Sequence, residues 1–323
     1  MSPALGIAVG LVALVVGAEV LVRGGSRLAT RLGLTPIVVG VTIVAVGTSA
    51  PELAIGIDAA ATGNSGLALG NIVGTNIVNL LLVFGLSALM RSIAFGTQTL
   101  RVDLPAMTVA ALLLWAMSAD GHLGGGEALV LLVCGVLYTL LVIRAGRAEA
   151  ASVRAEYRDE YTPARTQWQV GTVLVEIAML VGGIAVVVVG ADILVDAASE
   201  AARSLGVSDT VIGLTVVAIG TSAPELVTTV VATIRDERDI AIGNLLGSSV
   251  YNIVVILAVT VLATPGGMTV PDDVVRVDLP VMVAVALVCI PAFLTGRRLS
   301  RLEGALFVIS YCVYLAFLLL TRT

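Results

Sequence analysis

Lysine is absent from this chain of 323 residues; all 18 basic side chains are arginine, which reads as a genome-composition effect without functional content. Charge as a whole is scarce, at 13% of residues. Soluble domains average about 25%, so an ordinary soluble globule is excluded. Histidine occurs once, and His122 in the Gly-rich stretch DGHLGGGE reads as a solvated loop residue. The three cysteines, Cys134, Cys289 and Cys312, stand singly in apolar segments without CxxC spacing. They read as small buried hydrophobes, neither disulfides nor metal ligands. HExxH, GxSxG and a facing aspartyl pair are missing, which argues against an intramembrane hydrolase. The N-terminal stretch MSPALGIAVGLVALVVGAEVLV lacks a basic leader and a cleavage site, so it reads as a first membrane span instead of a removable signal.

Apolar residues are plentiful, at 58%, and runs of membrane-spanning length recur along the chain. The pattern predicts an all-α integral membrane protein with ten spans. The first five lie at about 4–22, 36–61, 67–90, 104–118 and 128–143. The second five lie at about 170–195, 210–234, 240–263, 274–294 and 302–320. The longest connection, 145–169, is rich in Arg and Glu and divides 1–144 from 170–323. With the N-terminus outside, fifteen of the 18 arginines fall on inner segments, leaving Arg203, Arg276 and Arg322 outside. That bias is the positive-inside rule. It predicts a multi-pass plasma-membrane protein with both termini outside and 145–169 cytoplasmic.

The second half repeats the first. At an offset of 173, VGVTIVAVGTSAPEL aligns with IGLTVVAIGTSAPEL, and ALGNIVGTNIVNL with AIGNLLGSSVYNI. RVDLP recurs at Arg101 and Arg276. Five helices per repeat reverse the sense of membrane crossing, so the halves are expected as inverted repeats. In secondary transporters, interrupted helices of such halves meet near the bilayer midplane.

GTSAPEL, at Gly47 and again at Gly220, places a proline and a carboxylate inside an apolar run. Glu52 falls near the middle of its span, where insertion of a carboxylate costs ~2.5–3.5 kcal/mol and marks function. Thr48, Ser49 and Glu52 stand at i, i+1 and i+4, so their oxygens can converge. Pro51 cannot donate to the Gly47 carbonyl, and the helix is expected to open there. Thr221, Ser222, Pro224 and Glu225 repeat the arrangement. The following spans add Thr75 with Asn79, and Ser248 with Asn252, each pair four residues apart. Gly70, Gly74, Gly243 and Gly247 leave room for a neighbouring helix.

Every candidate ligand is an oxygen, which disfavours zinc, copper and iron. A flexible cage of many oxygens suits Ca²⁺ better than Mg²⁺. Hydroxyls and carbonyls also suit Na⁺, and competition of both ions for shared carboxylates is a basis for exchange. Other charges have plainer readings: Glu19 pairs with Arg23, Asp58 reaches the outer end of its span, and Glu176 is structural. Trp115 and Trp168 read as interface anchors.

The paired GTSAPE and GN-x-x-G-[TS]-x-x-x-N segments resemble the two alpha-repeats of the sodium/calcium exchanger family, here at about 36–90 and 209–263. The resemblance covers all ten expected spans. It implies alternating access, with the first and sixth helices sliding across a core made by the others. By position it implies ligands at Thr48, Ser49, Glu52, Thr75, Asn79, Thr221, Ser222, Glu225, Ser248 and Asn252. It adds backbone carbonyls at Ala45 and Ala218, where the proline argument points instead to Gly47. Some relatives have Asp where this chain has Asn79 or Asn252, and Asn252 argues against potassium co-transport. The 145–169 connection is too short for a large calcium-sensing domain. The expectation is an electrogenic Na⁺/Ca²⁺ antiporter, not an enzyme, working in a lipid bilayer without a cofactor, nucleic acid or obligate protein partner. An H⁺/Ca²⁺ exchanger on the same scaffold is the alternative, followed by a cation channel.

Overall fold

The structure is a computed structural model that describes residues 2–32, 34–158, 170–206 and 218–322. The described residues are mainly helical, which pairs backbone groups within each segment where no water is available. Helix α1 spans Pro3–Leu32. A bent pair follows, α2 (Pro36–Thr48) and α3 (Ala50–Thr62), meeting at 41°. Next come α4 (Ser65–Met90), α5 (Thr99–Met117) and α6 (Gly125–Arg158). The second half has α7 (Val170–Ser204), α8 (Ala218–Thr221), α9 (Ala223–Ile234) and α10 (Arg238–Ala263). Helices α11 (Val274–Arg297) and α12 (Arg301–Arg322) complete the chain. Among the described residues, 8 helices are long and apolar enough to cross a membrane, or 9 with the bent pair counted as one span. The expected span at 210–234 is described only from Ala218 onward.

Several boundaries shift: the helices expected to end near 22 and 195 run on to Leu32 and Ser204. The helix expected at 104–118 starts five residues earlier, at Thr99, because a π turn over Thr99–Asp103 joins the RVD stretch to it. The helix expected to stop near 143 runs on to Arg158, so the first part of the 145–169 connection is helical. Alanine and arginine there are strong helix formers. Trp168 lies outside the described residues.

Helices α4 and α10 are central, with 78% and 83% of their apolar windows buried, against 17–44% for the other membrane-length helices. Outward valines and leucines on α1, α6, α7 and α12 remain exposed, as expected of surfaces facing lipid. The cores are two. One joins α4, α5, α6, α10 and α11; the other joins α1 and α7 to parts of α2, α9 and α10. The α1–α7 crossing is tight because glycines line it. A Cβ on Gly17 would lie 2.8 Å from the Val187 nitrogen, and one on Gly183 2.7 Å from the Leu21 nitrogen.

Two short ribbons identify the faces of the bundle. β1 (Ile93–Ala94) pairs with β4 (Arg298–Leu299), and β2 (His122–Leu123) with β3 (Met268–Thr269), both antiparallel. The first ribbon shares its face with Arg91, whose guanidinium meets Asp236 at 2.9 Å, as does that of Arg238. This is the arginine-rich face. His122, on the opposite ribbon, is exposed and its Nε2 lies 3.0 Å from the Gly266 carbonyl.

Two of the acidic side chains singled out in the sequence are paired with arginine. Glu19 meets Arg23 at 2.5 Å, as its spacing predicts, and also Arg235, which sequence separation hid. Glu176 accepts two 2.8 Å hydrogen bonds from Arg31, tying α7 to α1. Asp58 is exposed near the end of α3. The three cysteines are free: Cys289 buried, Cys134 half-buried and Cys312 exposed.

Candidate functional site

Both GTSAPEL motifs break their helix in the same way. Ser49 (φ −81°, ψ 11°) and Ser222 (φ −85°, ψ 3°) leave the helical region, and a new helix starts at the next alanine. Pro51 and Pro224 then occupy the second helical position, where the missing N–H costs nothing. Glu52 and Glu225 fall in the first turn of α3 and α9, where free N–H groups and the helix dipole favour an anion. Both carboxylates are fully buried. The proline therefore seats the glutamate at a helix N-terminus halfway across the protein.

Hydrogen bonds knit the two motifs together. The Ser49 hydroxyl donates to Glu225 Oε1 at 3.3 Å, and Ser248 donates to the same oxygen at 3.3 Å. Ser248 and Thr48 also each lie 3.3 Å from the Ala45 carbonyl. Both hydroxyls thus reach the Ala45 carbonyl, which also accepts the Ser49 backbone N–H at 3.1 Å. Thr75 donates to Glu52 Oε1 at 3.5 Å.

Residues 37–48 reach α10 because Gly243 and Gly247 let the backbones touch. A Cβ on Gly247 would lie 2.5 Å from the Val41 carbonyl oxygen. Asn79 lies within a π turn at Val78–Val83 and Asn252 opens one at Asn252–Leu257. Such turns recur at functional sites because they loosen the backbone ladder.

Polar atoms without partners concentrate here. They include Glu52 Oε2, Glu225 Oε2, Ser222 Oγ, and both side-chain polar atoms of Asn79 and of Asn252. Each such buried group costs ~1–3 kcal/mol, so a ligand that oxygen atoms satisfy suits them. Thr221 is buried beside Ser222. Ala218 opens α8, and the residues before it lie outside those described.

Asn244 did not stand out in the sequence as a site residue. Its Oδ1 accepts from the Thr48 hydroxyl at 3.0 Å, and its Nδ2 donates to Thr229 Oγ1 at 3.3 Å. A signal was available: Asn71 and Asn244 match at the repeat offset. Among the described residues no three His, Cys, Asp or Glu side chains gather as a metal cluster. The site is therefore two carboxylates amid neutral oxygens, a composition suited to hard cations that must also leave.

A broken-helix, carboxylate-centred oxygen cage inside a bundle of membrane-length helices defines a membrane cation transporter. The family profile described as sodium/calcium exchanger protein matches residues 2–144 and 175–320. The chain belongs to the sodium/calcium exchanger family, whose members are multi-pass membrane antiporters with Na⁺ and Ca²⁺ as transported substrates. It is 31% identical to the sodium/calcium exchanger MaX1 of Methanosarcina acetivorans, covering 96% of each chain. It is 33% identical to the inner membrane protein YrbG of Escherichia coli, over 78% of this chain and 77% of that one. Its fold is similar to a structure of the sodium-calcium exchanger NCX_Mj soaked with Na⁺ and Ca²⁺, with a TM-score of 0.83 and 28% identity. That likeness covers 98% of this chain and 99% of the other.

Proposed function

We propose that this protein exports Ca²⁺ in exchange for Na⁺ by alternating access, through one site shared by two inverted five-helix repeats. Its ligands are the side chains of Thr48, Ser49, Glu52, Thr75, Asn79, Thr221, Ser222, Glu225, Ser248 and Asn252, with the Ala45 and Ala218 carbonyls. The observation that carries this reading is Glu225 held by Ser49 from the other motif and by Ser248 from the next helix. Neither half makes the cage alone.

Inversion is supported by the ribbons. The repeat relates β1 to β3 and β2 to β4, so the β1–β4 ribbon at one face corresponds to the β3–β2 ribbon at the other. The Tyr138–Asp103 hydrogen bond likewise has its counterpart in Tyr314–Asp278. The arginine-rich face is cytoplasmic under the positive-inside rule, which puts both termini outside. Sodium coupling is supported by the hydroxyl-rich paired Thr-Ser segments, since a proton needs no cage of oxygens. The similarity to MaX1, a sodium/calcium exchanger by name, points the same way.

The test is radiolabelled Ca²⁺ uptake into proteoliposomes loaded with Na⁺ or with choline, alongside choline vesicles carrying a pH gradient. Uptake driven by internal Na⁺ alone supports the proposal. Uptake driven by the pH gradient reassigns the coupling ion to H⁺, and uptake needing no counter-ion indicates a channel.

A further inference from the structure

A threonine inside a helix commonly returns its hydroxyl to the carbonyl four residues earlier. Thr42, Thr108, Thr139, Thr233, Thr260 and Thr264 all do so, at 2.6–3.0 Å. Thr75 gives its hydroxyl to Glu52 instead. Thr228 does neither. It is fully buried in α9, and its Oγ1 has no hydrogen-bond partner. Thr228 stands three residues after Glu225, on the same face of the helix. Glu225 Oε1 accepts from Ser49 and Ser248, whereas Oε2 is buried without a partner. One turn of α9 therefore carries two unsatisfied buried oxygens, one from a carboxylate and one from a hydroxyl. Because α9 ends at Ile234, next to Arg235, Thr228 lies on the arginine-rich side of Glu225. The other half is built differently in sequence. The repeat aligns Thr228 with Ile55, a half-buried apolar residue one turn after Glu52.

We propose that the Thr228 hydroxyl and Glu225 Oε2 form a Na⁺ position on the arginine-rich side of the cage. A hydroxyl offers lone pairs without a charge, so an ion held here meets a single carboxylate. One negative charge matches a monovalent cation. Ca²⁺ takes about 6–8 oxygens and favours several carboxylates, so it draws on Glu52 and Glu225 together and depends little on Thr228. The Glu52 side has no hydroxyl at the matching place, which makes the two carboxylates unequal toward Na⁺. This inference rests on the sodium-coupled reading and adds one ligand to its cage.

Thermal melting of the purified full chain in choline buffer, titrated with NaCl or with CaCl₂, tests it, since a bound ion raises the melting temperature. Thr228→Val keeps the volume and removes the hydroxyl. Without Na⁺ or Ca²⁺ it should melt no lower than the unmodified protein, because a methyl replaces an unpartnered hydroxyl. It should need about fivefold more Na⁺ for the same stabilisation, the scale of one lost polar contact. Its Ca²⁺ response should stay within about twofold. Thr228→Ser should restore the Na⁺ response. Thr108→Val removes a back-bonded hydroxyl on α5 and should leave both responses unchanged. An unchanged Na⁺ response in Thr228→Val, or in Thr228→Ala if the valine variant does not fold, would overturn the assignment. So would a serine variant that behaves like valine. Equal losses for Na⁺ and Ca²⁺, or a matching loss in Thr108→Val, would also overturn it by marking a general packing effect. If Na⁺ does not stabilise even the unmodified protein, sodium coupling fails and this position fails with it. A normal Na⁺ response that ignores Thr228 refutes this position alone.

Discussion

Replacing Glu225 with Gln removes a charge and little else. The amide keeps an oxygen where Ser49 and Ser248 donate, each at 3.3 Å, so the contact between the motifs survives and the fold should too. The electrostatic loss is large. Two unit charges 4 Å apart attract by about 4 kcal/mol at an effective dielectric of 20, which doubles to about 8 kcal/mol for a divalent ion. Desolvation of the ion and of the fully buried carboxylate offsets much of this. If half survives, the loss is about 4 kcal/mol, or roughly a thousandfold in Ca²⁺ affinity. A monovalent ion loses about half that free energy, so Na⁺ affinity should fall some thirtyfold. Ca²⁺ uptake by Na⁺-loaded proteoliposomes and Ca²⁺ binding by titration both read the change, with the melting temperature as a control for folding. Ca²⁺ affinity within tenfold of the unmodified protein, in a variant that folds, would refute the placement of Glu225 at the cation. Glu52→Gln should behave alike, because Thr75 donates to Glu52 Oε1 at 3.5 Å and can donate to the amide oxygen instead.

Gly247→Ala should destabilise by about 1–3 kcal/mol as an overpacked crossing, since its Cβ would meet the Val41 carbonyl. Gly74→Ala, with no described atom within 4 Å of its Cβ, should leave the melting temperature almost unchanged. Arg31→Ala strands Glu176, whose side chain is 4% exposed. A broken buried pair costs about 3–5 kcal/mol; the 15% exposure of Arg31 sets the expectation near the lower value. Adding Glu176→Gln should recover part of the lost melting temperature. Arg-to-Ala changes within 145–169 should leave Ca²⁺ transport and its Ca²⁺ dependence intact, and a large loss there would indicate regulation by this connection.

Much of the site was legible without coordinates because its chemistry is local. A proline and a carboxylate are each costly in an apolar run, so together they mark a site. Their recurrence with matching Thr/Ser and Asn positions nominated the residues of the proposed cage. Arginine placement anticipated one face shared by Arg91, Arg235 and Arg238. The same-face spacing of Thr75 and Asn79 was also readable, although the π turn that loosens the backbone at Asn79 was not.

Partner choice was not readable, because it depends on which helices touch. Glu19 has Arg23 one turn away, yet it also meets Arg235 from the far half of the chain. Asn244 matched Asn71 in sequence, next to a glycine read as a packing position. Only the crossing of α2 over Gly243 and Gly247 brought it to Thr48. Two copies of one motif are equivalent as sequence. A folded protein holds them in one packing, where their neighbours differ. The sequence by itself determined the membrane class, the duplicated oxygen donors and the charge asymmetry, since composition, spacing and backbone chemistry fix those. The tertiary structure decided which donor meets which acceptor, because hydrogen bonds form only between groups that packing brings within about 3 Å.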